Sequence, residues 1–375
     1  MSRVVIIVAL VGACADPTRS YTLELPFEPM LLEYRSGSGA WHTPHGSFAS
    51  PPDASTTFEV AVDDDYELVV VCPGTLGVVT FELFATREET PSVSELDCGA
   101  IPVANISGEM QQAGQVFTRL SDAIGSTAPW SYSGATTDGP NDLVAIDATA
   151  SRIAVRHDQV VTDSFAEPAI DLATEGDATA SWLPTFTDPP AETDLATIST
   201  YLITKNSTVA QLATHALELP ATQVVDGDLQ RLQIEDPMAG QVLEIDNYFE
   251  HTPQRVFTLP TPIEGVTFDP TSASWSSSGP FTRAYFVVGD LAGYQEAYAS
   301  ADWLEGHGPT SLAFDGDAPG LDPAWSVTMP TERLLELDNV VSSYGPDYVV
   351  YATTALDPTL ESTTARRRSR AQLRR

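Results

Sequence analysis

The sequence predicts an all-β protein built from tandem immunoglobulin-like β-sandwich domains, and three observations carry that prediction. Short apolar segments alternate with turn residues along most of the chain. Twenty-eight prolines and 24 glycines interrupt it. Within segments the apolar positions recur every second residue, the spacing of a strand and not of a helix. With 42% apolar and 9% aromatic residues the composition is that of a folded chain. At about 100 to 200 residues per domain, its length of 375 residues makes roughly two to four domains.

The N-terminus reads Met1-Ser2-Arg3, then an apolar run from Val4 to Ala13, then Cys14 preceded by Val11-Gly12-Ala13. A charged start, an inserting apolar stretch and small residues ahead of a cysteine form the layout of a bacterial lipoprotein signal. Residues 1–13 are therefore expected to be a signal peptide and Cys14 the lipidated first residue of the mature chain. Leu10 lies one residue earlier than the lipobox favours, and an ordinary secretory leader is the alternative; both predict export. The run is half of the roughly twenty residues a membrane-spanning helix needs. The membrane is thus expected as a partner through a lipid anchor, in which each buried methylene contributes about 0.8 kcal/mol. The expected location is the cell envelope, with neither membrane favoured by Ala15 and Asp16.

The first folded unit is expected over residues 20–99. In Thr57 to Val62, Phe58, Val60 and Val62 share one face of a strand, and Asp63-Asp64-Asp65 then makes a turn. Leu68 to Cys72 follows as a continuous apolar strand, Pro73-Gly74 breaks it, and Val78 to Ala85 resumes with Val79, Phe81 and Leu83 on one side. Trp41 is the expected core aromatic. Once Cys14 is assigned to lipid, Cys72 and Cys98 form an even pair in an exported protein, which reads as a disulfide. Such a bond contributes roughly 3 to 4 kcal/mol in the chain-entropy picture.

A second small sandwich is expected over 100–176, with strands at Leu143 to Ile146 and Ile153 to Val155. Gly108 to Gly125 is ambiguous: Val116, Leu120 and Ile124 are spaced as on a helix, whereas Gly114 and Thr118 oppose one. Residues 177–358 read as one large sandwich or two stacked units. Strands are expected there at Leu229 to Ile234, Val242 to Ile245, Val256 to Leu259, Tyr285 to Val288, Trp325 to Met329 and Tyr348 to Tyr351. Pro184, Pro189, Pro260 and Pro262 mark seams. No fixed repeat period is present, which disfavours a propeller or solenoid. Residues 359–375 read as a disordered Arg-rich tail, with Arg366, Arg367, Arg368, Arg370, Arg374 and Arg375 in its last ten positions.

Charge excludes one class of partner. Fifty-two acidic residues face 18 basic ones, Lys205 is the only lysine, and the net charge is −34. Nucleic-acid binding rests on Lys and Arg neutralising phosphates, so no nucleic-acid partner is expected. An acidic exterior fits salty surroundings, where self-repulsion is screened; a GC-rich genome that replaces Lys by Arg explains the same bias equally well.

Local signatures of chemistry are sparse. There is no G-x-S-x-G, H-E-x-x-H, P-loop or dinucleotide fingerprint, and no CxxC or Cys/His cluster with zinc spacing. No catalytic residue, cofactor site or metal site is assigned. His42 and His45 lie three apart in a Pro-Gly turn, which reads as a surface loop. His157, His215, His251 and His307 have no recognisable sequence partners. Asp63-Asp64-Asp65, Asp226-Gly227-Asp228 and Asp315-Gly316-Asp317, with Asp322 nearby, offer the oxygen ligands calcium takes, yet Asp-Gly is first a turn signal. Trp130, Tyr132, Trp182, Trp275, Tyr294, Tyr298 and Trp303 are the rings from which a sugar-stacking platform would be built, with core packing as the alternative.

The leader, together with Trp41, Tyr66 to Gly74, Phe84 to Thr86 and Cys98, resembles uncharacterised β-rich lipoproteins of myxobacteria-like, GC-rich bacteria. The likeness covers about the first quarter of the chain and implies a disulfide-pinned sandwich behind a lipobox, with no activity attached. The expected function is that of a lipid-anchored structural or interaction module. A glycan- or protein-binding surface is the sharper version, and an envelope hydrolase the competing one.

Overall fold

The computed structural model describes residues 19–25, 29–48, 56–74, 77–89, 103–182, 185–187, 197–236, 241–248, 256–258, 263–290, 293–320, 332–339 and 347–353. Within them the protein is all-β, with several sheets and one short α-helix. None of the described helices is long and apolar enough to cross a membrane. The leader with Cys14, the seam prolines, Cys98, the segment Trp325 to Met329, His251, Asp322 and the Arg-rich tail all lie outside the described residues.

The first strands are β1 (Arg19–Leu25), β2 (Leu31–Ser36), β3 (His45–Phe48), β4 (Thr56–Val62), β5 (Tyr66–Gly74) and β6 (Gly77–Ala85). Next come β7 (Val103–Met110), β8 (Gly114–Phe117), β9 (Asp122–Gly125), β10 (Trp130–Thr137), β11 (Gly139–Asp147), β12 (Arg152–Val161), β13 (Ser164–Ala166), β14 (Asp177–Ala178) and β15 (Ala180–Ser181). They are followed by β16 (Thr185–Thr187), β17 (Thr197–Ile203), β18 (Val209–Ala213), β19 (Leu217–Glu218), β20 (Leu229–Asp236), β21 (Gln241–Tyr248) and β22 (Val256–Thr258). The last elements are β23 (Thr267–Asp269), β24 (Ser272–Ser274), β25 (Arg283–Asp290), β26 (Gly293–Ser300), α1 (Ala301–His307), β27 (Ser311–Ala313), β28 (Glu332–Asn339) and β29 (Asp347–Thr353).

One sheet dominates. It has eleven strands in the order β18-β17-β20-β21-β29-β28-β25-β26-β6-β5-β2. Every neighbouring pair is antiparallel except β6 and β26, which run parallel, with Val78 opposite Gly293 and Phe84 opposite Ala299. Strands from the 20–99 segment and from the 177–358 segment therefore share a single hydrogen-bonded sheet.

The sheet is covered on both faces around β5, β6 and β25, and alternation explains how. Leu68, Val70 and Cys72 of β5, Phe81 and Leu83 of β6, and Tyr285 and Val287 of β25 pack with Val60 and Val62 of β4. On the opposite face, Phe84, Phe286 and Val288 meet Ala273 of β24, Leu312 of β27 and Leu304 of α1. A strand covered on both sides reads as an unbroken apolar run, as Leu68 to Cys72 does.

A five-stranded sheet, β14-β12-β11-β8-β9, forms a second centre. Leu143 and Ala145 of β11 face Ile106 of β7 and Tyr132 of β10, two strands of the sheet β10-β7-β13. Val144 and Ile146 face the other way, onto Leu202 of β17 and Ala210 and Leu212 of β18. The run Leu143 to Ile146 is thus shared between two cores.

The ambiguous segment Gly108 to Gly125 is the end of β7, then β8 and β9, three strands joined by two short connections. A Cβ on Gly114 would collide with the backbone of Ile146 and Asp147, so glycine lets β8 approach β11 there. Helix α1 was not expected. Ser300 caps it by accepting from the Trp303 amide, with Asp302 in its first turn.

Candidate functional site

Among the described residues, two interior clusters bring chemistry-bearing side chains together: Asp142, His157 and Asp228 in one, Glu67, Glu82 and Asp315 in the other. Each draws one residue from an Asp-Gly-Asp segment.

The first cluster is built on a β-bulge. Between β11 and β12, Asn141 pairs with Gln159 and Leu143 with Arg156, so Asp142 alone faces His157 and Asp158. Asp158 takes a positive φ of 56°. Such an irregularity re-aims side chains, and here it directs the Asp158 amide to Asp142 Oδ1 at 2.8 Å. The turn after β17 supplies further donors: the Asn206 amide at 3.3 Å and its Nδ2 at 2.9 Å. Thr208 Oγ1 also donates to the Asp142 carbonyl at 2.7 Å.

Asp228 follows Asp226-Gly227, where Gly227 has a φ of 94°. Its carboxylate accepts from the amides of Lys205, at 2.8 Å, and Val225, at 3.0 Å. Both aspartates are fully buried. His157 lies between them, with Nδ1 3.6 Å from Asp142 and Nε2 3.7 Å from Asp228. Nearer the surface, Lys205 Nζ meets Asp158 at 2.6 Å.

The protonation states follow from these contacts. Burial alone raises the Asp142 carboxyl, but the nearby His157 imidazole and the hydrogen bonds from Asn206 and the Asp158 amide outweigh it and hold it at about 2. Burial lowers His157, but Asp142 and Asp228 more than offset that and raise it. Asp228 is raised by burial, against the pull of its two amide donors and His157.

The second cluster lies on one face of β2, β5 and β6. Arg35 pairs with Glu67 across β2 and β5, and Val69 with Glu82 across β5 and β6. The segment carrying Asp315 covers this face, with Ala318 packed on Val69 and Val71. Arg35 Nε donates to Glu67 at 2.9 Å, and its guanidinium also bonds Asp315. The same guanidinium lies 4.8 Å from the centre of the half-buried Trp41 ring. Glu82 is 0% exposed. Its Oε2 accepts from the Asp315 amide at 3.0 Å, whereas Oε1 has no hydrogen-bond partner. Burial, reinforced by Glu67 and Asp315, pushes the Glu82 carboxyl up to about 9 despite the Asp315 amide and Arg35. Glu67 rises to about 7, chiefly through burial and against the effect of Arg35.

The other sequence candidates are dispersed. Asp63, Asp64 and Asp65 form a turn clasped by Ser36, which bonds Asp63 at 2.7 Å. His42 is exposed, and the side chain of His45 lies outside the described residues. His215 is exposed, and His307 stacks on Trp303 with ring centres 4.1 Å apart. The aromatic residues divide among three cores: Trp130 and Tyr132 in one, Trp182, Trp275 and Trp303 around a second, Tyr298 at a third. The Tyr294 side chain lies outside the described residues.

Sequence reading left His157 without partners and did not single out Asp142, Glu67 or Glu82. Asp228 and Asp315 were visible in their Asp-Gly-Asp segments. Comparison with protein families finds no match to the chain, and comparison with curated proteins finds none either.

Proposed function

We propose that the chain is an exported, lipid-anchored cell-envelope protein acting as a structural or interaction module. The observation that carries the module reading is the use made of two buried aspartates. Asp142 and Asp228 are fully covered and direct their oxygens to backbone amides of residues 158, 205, 206 and 225. A carboxylate held this way staples loops together; a general base must instead reach a substrate proton.

The arrangement of Arg3, the apolar run and Cys14 supports export and lipid attachment. Immunoglobulin-like sandwich units are the finer architecture we infer, with residues 20–99 and 177–358 contributing strands to a shared sheet and not standing as separate tandem units. Its support is that separate cores each lie between two sheets. A Cys72–Cys98 disulfide belongs to the same reading, supported by Cys72 being fully buried and not a free thiol. The ligand of such a module is a glycan or another protein met at its surface.

The test is intact mass and detergent partitioning of the protein from native membranes beside a Cys14→Ala form. Lipid mass on residue 14 and a detergent-phase protein, both lost in the variant, are expected. An unlipidated protein in the soluble fraction overturns the anchor.

A further inference from the structure

We propose that Glu67, Glu82 and Asp315 form a binding site for a hard divalent cation, calcium first, which pins the 314–320 segment to the β2-β5-β6 face of the large sheet.

Geometry is the first support. One oxygen from each of the three residues lies within 4.8 Å of the others. Calcium–oxygen bonds of about 2.4 Å place ligands on opposite sides of the ion about 4.8 Å apart, so the spread fits one ion. The donors are all carboxylate oxygens, the set that calcium and magnesium take and that softer metals do not require.

The second support is an oxygen without a purpose inside the protein. Glu82 is 0% exposed and its Oε1 has no partner. Leaving a buried acceptor unsatisfied is costly. A cation supplies what this oxygen lacks, and one oxygen each of Glu67 and Asp315 lies within 4.8 Å of a Glu82 oxygen. Those two side chains are 15% and 22% exposed, so water has a route to complete the coordination.

Charge gives the third. Three carboxylates stand against the single guanidinium of Arg35, which bonds Glu67 and Asp315. With all three ionised, which requires Glu82 to give up its proton, the remainder is two negative charges, which one divalent cation balances. Arg35 reaches Glu67 through Oε2. The Asp142 cluster differs, because its carboxylate oxygens already meet N–H donors.

The experiment is calorimetric titration and thermal melting of the chelator-treated full chain with calcium, magnesium and zinc chlorides. It compares wild type, Glu82→Gln, Asp315→Asn and the surface control Asp226→Asn, with circular dichroism confirming the fold of each. Expected are saturable binding of one calcium ion and a rise in melting temperature. Both should persist in Asp226→Asn and weaken by about tenfold or more in folded Glu82→Gln and Asp315→Asn. No saturable binding of any of the three ions to wild type overturns the proposal. So does calcium binding that folded Glu82→Gln retains at full strength, or zinc binding without calcium binding.

Discussion

The Asp142 and Glu82 carboxyls are both wholly buried, yet their surroundings drive them to opposite protonation states. Around Asp142, a bulge and the 204–208 turn aim amides and an asparagine at the carboxylate, and it stays ionised down to about 2. Around Glu82, burial is answered by one amide on one oxygen while two further carboxyls stand nearby, which leaves the group protonated up to about 9. Depth of burial does not decide the charge of an interior acid; the number of N–H groups aimed at it does.

Removing Asp142 should separate the two clusters most sharply. Asp142→Ala strands the Asp158 amide, Asn206 and His157 at a junction that also joins β11 to the β17–β18 hairpin. We expect a loss of about 3 to 5 kcal/mol in urea unfolding. A loss below about 1 kcal/mol would mean that the apolar core alone holds this junction.

Acid titration is the next test. The Asp142 contribution is present above its unfolded value of 3.8 and is lost as pH falls toward about 2. That is about 2 kcal/mol of wild-type stability, and it should vanish from the acid limb of Asp142→Asn.

Glu82 predicts the opposite slope. Its carboxyl and that of Glu67 are raised, so their contribution is complete below the unfolded value of 4.5 and fades as pH rises through about 7 and then about 9. In chelator, Glu82→Gln should stay within about 1 kcal/mol of wild type near pH 4, where an amide replaces an acid that is neutral in the folded chain and largely protonated in the unfolded one. It should then lose less stability than wild type between pH 7 and 10. Parallel alkaline limbs for the two proteins would remove the contrast with Asp142.

His157→Gln carries the smallest expected effect, about 1 kcal/mol at pH 6. The raised imidazolium contributes fully below 6.5 and is lost as pH rises through its folded value. The variant's stability curve should therefore be flatter than wild type above pH 6.5.

Much of the strand pattern was legible because strand period and turn residues are local. The segments at 57–62, 68–72, 78–85, 143–146 and 285–288 all fall within observed strands. The partners of the polar residues were not local. Thr80-Phe81-Glu82-Leu83 reads as a strand with its polar face in water, but the 314–320 segment covers that face. His157 looks solitary because its two aspartates come from a bulge on β11 and from the turn before β20. Helix α1 is one short amphipathic stretch inside a strand-rich run, fixed by the Ser300 cap and by Leu304 in the core.

The parallel joint between β6 and β26 imposes an order on folding. Val78 finds its partner Gly293 only across a loop of roughly two hundred residues, so this is among the slowest contacts for the chain to make. Until β26 arrives, the side of β6 that it will cover is an open edge with apolar Val79 and Phe81 along it, a template for any other strand. A chain interrupted before residue 293 is therefore expected to self-associate through β6, and the chain guards against this only once residues 293–300 have emerged.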